Sequence, residues 1–131
     1  MAPSAHHLAV AGAAAVRLGF AVWFAARPDD PARVLGRPPS TGLRAIALTV
    51  AAREVVLGVG TAAALARGRP TDGWVRAMAG ADAFNGTLTA LSGLAGAVPP
   101  RRAAGLAAFD LSGTVSEVLL AGWVARRECR A

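Results

Sequence analysis

Four long apolar runs, roughly His6 to Ala26, Gly42 to Ala66, Asp72 to Val98 and Ala103 to Ala125, constrain the fold of this chain more than any other feature. At 1.5 Å per helical residue, each can cross a hydrocarbon layer of about 30 Å. The breaks between them carry turn chemistry: RPDDPARVLGRPPST holds four prolines, followed by RGRPTDG and VPPRR. The pattern predicts one domain over residues 1–131, an all-α four-helix transmembrane bundle. Its even number of crossings places both termini on the same side. Thr41 and Asp72 fit helix N-caps, and Asp30 before Pro31 fits the start of a short interfacial helix ending near Gly36.

Composition supports lipid rather than water around these helices. Hydrophobic residues make up 54% of the 131 and charged residues 17%; Lys, Gln and Tyr are absent and Asn85 is the single asparagine. A soluble helical bundle coats its outer faces with residues of the missing kinds. All 14 basic residues are arginine and the formal charge is +6, which could suggest nucleic acid. Their positions, between or just outside the apolar runs, suit headgroup phosphates instead, so membrane lipids are expected as partners and nucleic acid is not.

Orientation is balanced. Arg67, Arg69, Arg76, Arg126, Arg127 and Arg130 fall on one side and Arg27, Arg33, Arg37, Arg44, Arg101 and Arg102 on the other. Arg17 interrupts the first run and no Arg or Lys precedes it, which favours a retained first helix over a cleaved signal peptide. Cys129, the single cysteine, excludes an internal disulfide. Association with a second copy of the chain stays open.

Six formal charges fall near the midpoints of the runs: Arg17, Arg53, Glu54, Asp82, Asp110 and Glu117. Facing lipid, each would cost about 3 kcal/mol, roughly 18 kcal/mol together, so they are expected to face one another or water inside the bundle. Asp110 and Glu117 share a helix face with Gly113 between them; Asp82, Asn85, Thr89 and Ser92 form a polar stripe; Ala11, Ala15 and Gly19 offer a small-residue packing face. Arg53 and Glu54, about 100° apart on a helix, are expected to reach different neighbours. Glu54-Val55-Val56-Leu57-Gly58 is echoed at Glu117-Val118-Leu119-Leu120-Ala121, which admits two related helical hairpins as well as chance.

Two arginines against four carboxylates leave a surplus of negative charge, and a dry site relieves such a surplus by holding protons. Acids kept in different protonation states form an acid/base pair. The same ion pairs also serve to fix helix register, and the stripe to bond helices together. Trp23, Trp74 and Trp123 sit near run ends and fit an aromatic belt. His6 and His7 lie at an end. With no His or Cys at the midplane, a transition-metal site is not expected; carboxylate-bound Mg²⁺ stays open.

The segment RLGFAVWFAARPDDPARVLGRPP, with AAREVVLG after it, resembles small four-helix actinobacterial integral-membrane proteins known as domains of unknown function. In these a proline-containing first loop ending in Leu-Gly, here Leu35-Gly36, precedes an Arg-acid-x-x-Leu-Gly helix, here Arg53-Glu54 with Leu57-Gly58. The resemblance covers about a third of the chain and implies the fold and a multi-pass place in a bacterial cell membrane, with no activity attached. Small multidrug exporters, which carry a glutamate on the first helix, do not match Arg17.

Three functions compete. The first is a cofactor-free acid/base enzyme (an isomerase, cyclase or epoxide hydrolase type) acting on an apolar, lipid-dissolved small molecule. Asp110 or Glu117 would be general acid, Asp82 with Asn85 the base or water-orienter, and Glu54 a further acid; Arg17, Arg53 and Thr89 would pair charge or bind substrate. Its residue types are similar to those of limonene-type epoxide hydrolases. The second is a proton-coupled transporter or exporter using the same acids. The third is a structural or accessory membrane subunit.

Overall fold

The computed structural model describes residues 4–128, so Cys129 and Arg130 lie outside the described residues. The chain is all-α: α1 Ala5–Ala26, α2 Asp30–Val34, α3 Thr41–Ala66, α4 Asp72–Leu94 and α5 Pro100–Glu128, with no strand among the described residues. Helix ends follow local chemistry. Ser40, in extended conformation, accepts from Leu43 N–H at 3.2 Å and caps α3, one residue before the expected Thr41. The residue flanking α4 is Thr71, and Asp72 sits in the first turn, where its charge suits the helix dipole. Helix α5, the fourth of the long helices, begins at Pro100 rather than Ala103, because a proline in the first turn needs no N–H partner.

Helix α4 stops at Leu94, short of Val98. Gly96 adopts φ 72° and the N–H of Ala97 returns to Ser92 O at 2.9 Å, a Schellman closure. Gly68 closes α3 in the same way, at φ 61°, with Arg69 N–H on Ala64 O. In both, the left-handed turn excludes a side chain at low cost, so glycine sets the stop.

The long helices pack as two antiparallel pairs, α1 along α3 and α4 along α5, and the pairs touch each other far less. Small residues allow the close approach: Gly58 faces Leu18 and the Ala14 carbonyl, Gly93 faces Ala103, and Gly86 faces the Ala107 carbonyl. The pairs share one apolar cluster of Val10, Val75, Ala121 and Val124, joined by Leu65 and Leu120. The Phe20 and Phe109 rings also meet edge to face across them.

One expectation is corrected here. Ala11, Ala15 and Gly19 face outward; the buried side of α1 carries Val10, Ala14, Arg17 and Ala21. The physical reason is the charge on Arg17. Turning it inward decides the rotation of α1, because exposing small residues costs little while exposing a guanidinium to an apolar medium costs several kcal/mol.

Burial is inverted relative to a water-soluble protein. Arg17 and Glu54 are 5% and 2% exposed, whereas Val56 and Leu119 are 60% and 68% exposed. Three helices, α1, α3 and α5, are long and apolar enough to cross a membrane. Helix α4 is not among them, since Asp82, Asn85, Thr87, Thr89 and Ser92 occupy much of its length. This is a composition in which the expectation of four apolar spans holds for three.

At one end of the long helices, α2 is strapped down by ion pairs. Arg44 at the start of α3 grips Asp29 with both prongs, at 2.6 and 2.9 Å, Arg33 pairs with Asp30 at 2.7 Å, and Arg102 donates to the Arg33 carbonyl at 3.0 Å. The Arg44 guanidinium beside Asp29 holds that carboxyl below the usual carboxylate range.

Candidate functional site

Arg17 is the hub of the interior. Its Nη1 donates to Glu54 Oε2 at 3.0 Å and to Asp82 Oδ1 at 2.7 Å; its Nη2 donates to Glu117 Oε1 and to the Met78 carbonyl at 3.4 Å. A guanidinium carries five N–H groups in a rigid fork. Both terminal nitrogens here serve two acceptors each, spread over α3, α4 and α5. One side chain from α1 therefore ties all three other long helices together.

A second arginine completes the network. Arg53 donates through Nε at 3.1 Å, and through Nη2, to Glu54 Oε1, and through Nη1 to Asn85 Oδ1 at 3.0 Å. Glu54 thus bridges two guanidinium groups with its two oxygens, and its side chain is 3% exposed. Adjacent Arg53 and Glu54 reach different neighbours, Asn85 on α4 and Arg17 on α1, as expected, and in addition pair with each other. The long Arg53 side chain folds back across the intervening angle, because pairing with the buried carboxylate outweighs the torsional cost of bending.

The acids are not equally satisfied. Asp82 places Oδ2 against Gly113, where an added Cβ would lie 2.5 Å from it. Glu117 offers Oε1 to Arg17, but its Oε2 is buried with no hydrogen-bond partner among the described residues. Asp110, half-buried, joins no ion pair among the described residues, and its Cβ lies over Gly86, 3.2 Å from where a Cβ there would sit. Its backbone carbonyl accepts from Thr114 Oγ1 at 3.0 Å.

Of the residues singled out in the sequence, Arg17, Arg53, Glu54, Asp82, Asn85 and Glu117 are in one connected network. Asp110 borders it from the next turns of α5. Thr89 takes no part in it, and Ser92 Oγ turns to its own helix, donating to Leu88 O at 2.8 Å. The polar stripe of α4 therefore splits, its first two members in the network and its last two outside. Sequence reasoning missed the Met78 carbonyl, since a backbone acceptor leaves no residue-type signal. It also missed Gly86 as the bed of Asp110; its one signal was a small residue directly after Asn85.

The remaining candidates lie elsewhere. Trp23 packs with Phe20 and Phe24 at the end of α1, Trp74 lies against Gly60, and Trp123 meets His6 edge to face at 6.1 Å. His6, half-buried, and His7, exposed, bring their rings together at a tilt with centroids 4.2 Å apart, and no group of three His, Cys, Asp and Glu side chains among the described residues is disposed to hold a metal ion. Two hollows, of about 160 and 330 Å³, sit at the α3–α4 turn and the α1–α2 turn, and neither is bordered by a member of the network.

No protein family, no curated protein and no solved structure matches this chain.

Proposed function

We propose that the chain is a multi-pass integral-membrane protein, a four-helix transmembrane bundle with both termini on one side, whose interior carboxylates exchange a proton with an apolar compound dissolved in the lipid. Inclusion of α4 as a span is supported by what its polar residues touch. Asp82 and Asn85 are paired with Arg17 and Arg53, so inside the assembled bundle they do not charge α4 the cost they would incur facing lipid. The outer face of α4 is apolar, with Phe84, Leu88 and Leu91 exposed. The packing of His6 against Trp123 supports the common side of the termini.

The observation that carries the functional reading is the unmatched Glu117 Oε2. Arg17 and Arg53 supply two positive charges against the carboxylates of Glu54, Asp82, Glu117 and Asp110. Glu54 is bonded on both oxygens, and Asp82 and Glu117 each take one bond from Arg17, but only Glu117 has its second oxygen buried and unmatched, and Asp110 joins no ion pair among the described residues, so the surplus falls on Glu117 and Asp110, both on one face of α5. A surplus acid adds nothing to a register staple, whereas an acid/base site needs a proton in reserve. In this reading Glu117 or Asp110 delivers a proton to the substrate, Asp82 receives one, and Arg17 holds the ionised partners. The chemistry is that of a cofactor-free isomerase, cyclase or epoxide hydrolase.

A proton-coupled transporter is the second reading, favoured by the sparse packing between the helix pairs. Protonating one ligand of Arg17 would loosen the main polar tie between the pairs and let them part.

The deciding experiment incubates the purified protein in detergent, with no gradient, with apolar metabolite extracts in D₂O. Deuterium incorporated into a product by the wild type and not by Glu117→Gln supports the enzyme. Solute uptake into proteoliposomes driven by a proton gradient, with no product in detergent, transfers the site to the transporter. Equal behaviour of the wild type and Glu117→Gln in both assays overturns both.

A further inference from the structure

The arginines at the helix ends differ in what occupies them. Around the α1–α2 turn, the hollow bordered by Arg27 and Arg33 also contains Asp29 and Asp30, which take up Arg33, Arg44 and, at 3.9 Å, Arg27. Arg76 is paired with Asp72 at 3.4 Å. The α3–α4 turn is different. Arg67 and Arg69 are exposed, their guanidinium groups have no partner among the described residues, and both border a hollow of about 160 Å³.

The rest of that hollow is apolar: Gly60, Ala63 and Ala64 of α3, and Trp74 of α4. Gly60 is required there, because the Trp74 ring lies where a side chain would project. The hollow runs from Gly60 to Arg67, about 10 Å along the axis of α3, with apolar walls below and two unpaired cations at its mouth. Arg126 and Arg127 are also exposed and without an ion-pair partner among the described residues, but they do not line this hollow.

We infer that this is a binding site for an anionic membrane phospholipid. The phosphate sits between Arg67 and Arg69 in the headgroup layer, and the first part of an acyl chain lies along Gly60, Ala63 and Ala64 against the Trp74 indole. Two guanidinium groups match a phosphate with charge and paired donors. The site lies away from the Arg17 network, and its failure would leave the acid/base reading standing.

The test is native mass spectrometry of the full chain released from bilayer discs containing equal phosphatidylglycerol and phosphatidylcholine. The wild type is expected to retain one phosphatidylglycerol in preference to phosphatidylcholine. The preference falls about tenfold or more in Arg67→Ala/Arg69→Ala and persists in Arg126→Ala/Arg127→Ala. Ala63→Phe, which fills the hollow and leaves both arginines, loses the lipid while keeping the wild-type unfolding temperature. Equal retention of the two lipids by the wild type, an equal loss in the Arg126/Arg127 variant, or undiminished binding by a folded Ala63→Phe protein would each overturn the site.

Discussion

Arg17 on α1 and Glu54 on α3 form a 3.0 Å ion pair whose side chains are 7% and 3% exposed. Such a pair is stable only while both charges are present and the spare lone pairs are met. Here the second Glu54 oxygen is met by Arg53 and the second Arg17 nitrogen by Glu117 and Met78. Each partner is thereby committed to the whole network.

Removing the hub should be severe. Arg17→Leu leaves Glu54, Asp82 and Glu117 without their common counter-charge, and a loss of about 3–5 kcal/mol is expected. Arg17→Lys keeps the charge but cannot reach four acceptors, and should fall between the two. Thermal unfolding in one detergent, with helicity as the signal, measures the series.

The two glutamates that contact Arg17 should respond differently. Glu54→Gln breaks contacts to two arginines and should destabilise by several kcal/mol. Glu117→Gln removes a carboxylate with one unmatched oxygen, so its unfolding free energy should stay within about 1 kcal/mol of wild type while proton-transfer activity is lost. Equal destabilisation by the two would place Glu117 among the purely structural groups.

The bed of Asp82 can be probed by one methyl group. Gly113→Ala forces Asp82 Oδ2 to move and should cost about 1–3 kcal/mol. Gly105→Ala on the same helix meets nothing within 4 Å and should stabilise by about 0.5–1 kcal/mol, as alanine does in a helix interior. Paired unfolding curves separate the two.

At the α1–α2 turn, the Asp29–Arg44 tie has a defined pH dependence. Because Asp29 titrates lower in the folded chain than in the unfolded one, its contribution is present above the ordinary carboxylate value and is lost as the pH falls through the lower, folded value. The unfolding temperature of wild type should exceed that of Asp29→Asn by a constant margin near neutrality. The margin should close below about pH 4.

These relationships were unequally legible in the sequence. The charges nearest the run midpoints could be assigned to the interior because the cost of exposing them to lipid is large, and that argument needs no knowledge of packing. The partner of each charge could not be assigned. Arg53 folding onto its own neighbour, and Met78 lending a carbonyl, depend on side-chain torsions and backbone placement that residue type does not report. The rotation of α1 was misjudged because small residues signal close packing only when no stronger demand competes, and Arg17 is the stronger demand. Helix α4 shows the converse: its polar residues lower its apolar character as an isolated segment, and their pairing emerges only in the folded protein.

On the proposed reading, the network contains more acid than base and keeps a proton on Glu117 or Asp110. Infrared spectroscopy of the protein in lipid tests it most directly, through the carbonyl stretch of a protonated carboxyl group. Such a band is expected at neutral pH, shifted on transfer to D₂O and reduced in Glu117→Gln or Asp110→Asn. A spectrum with only ionised carboxylate bands at neutral pH would contradict it.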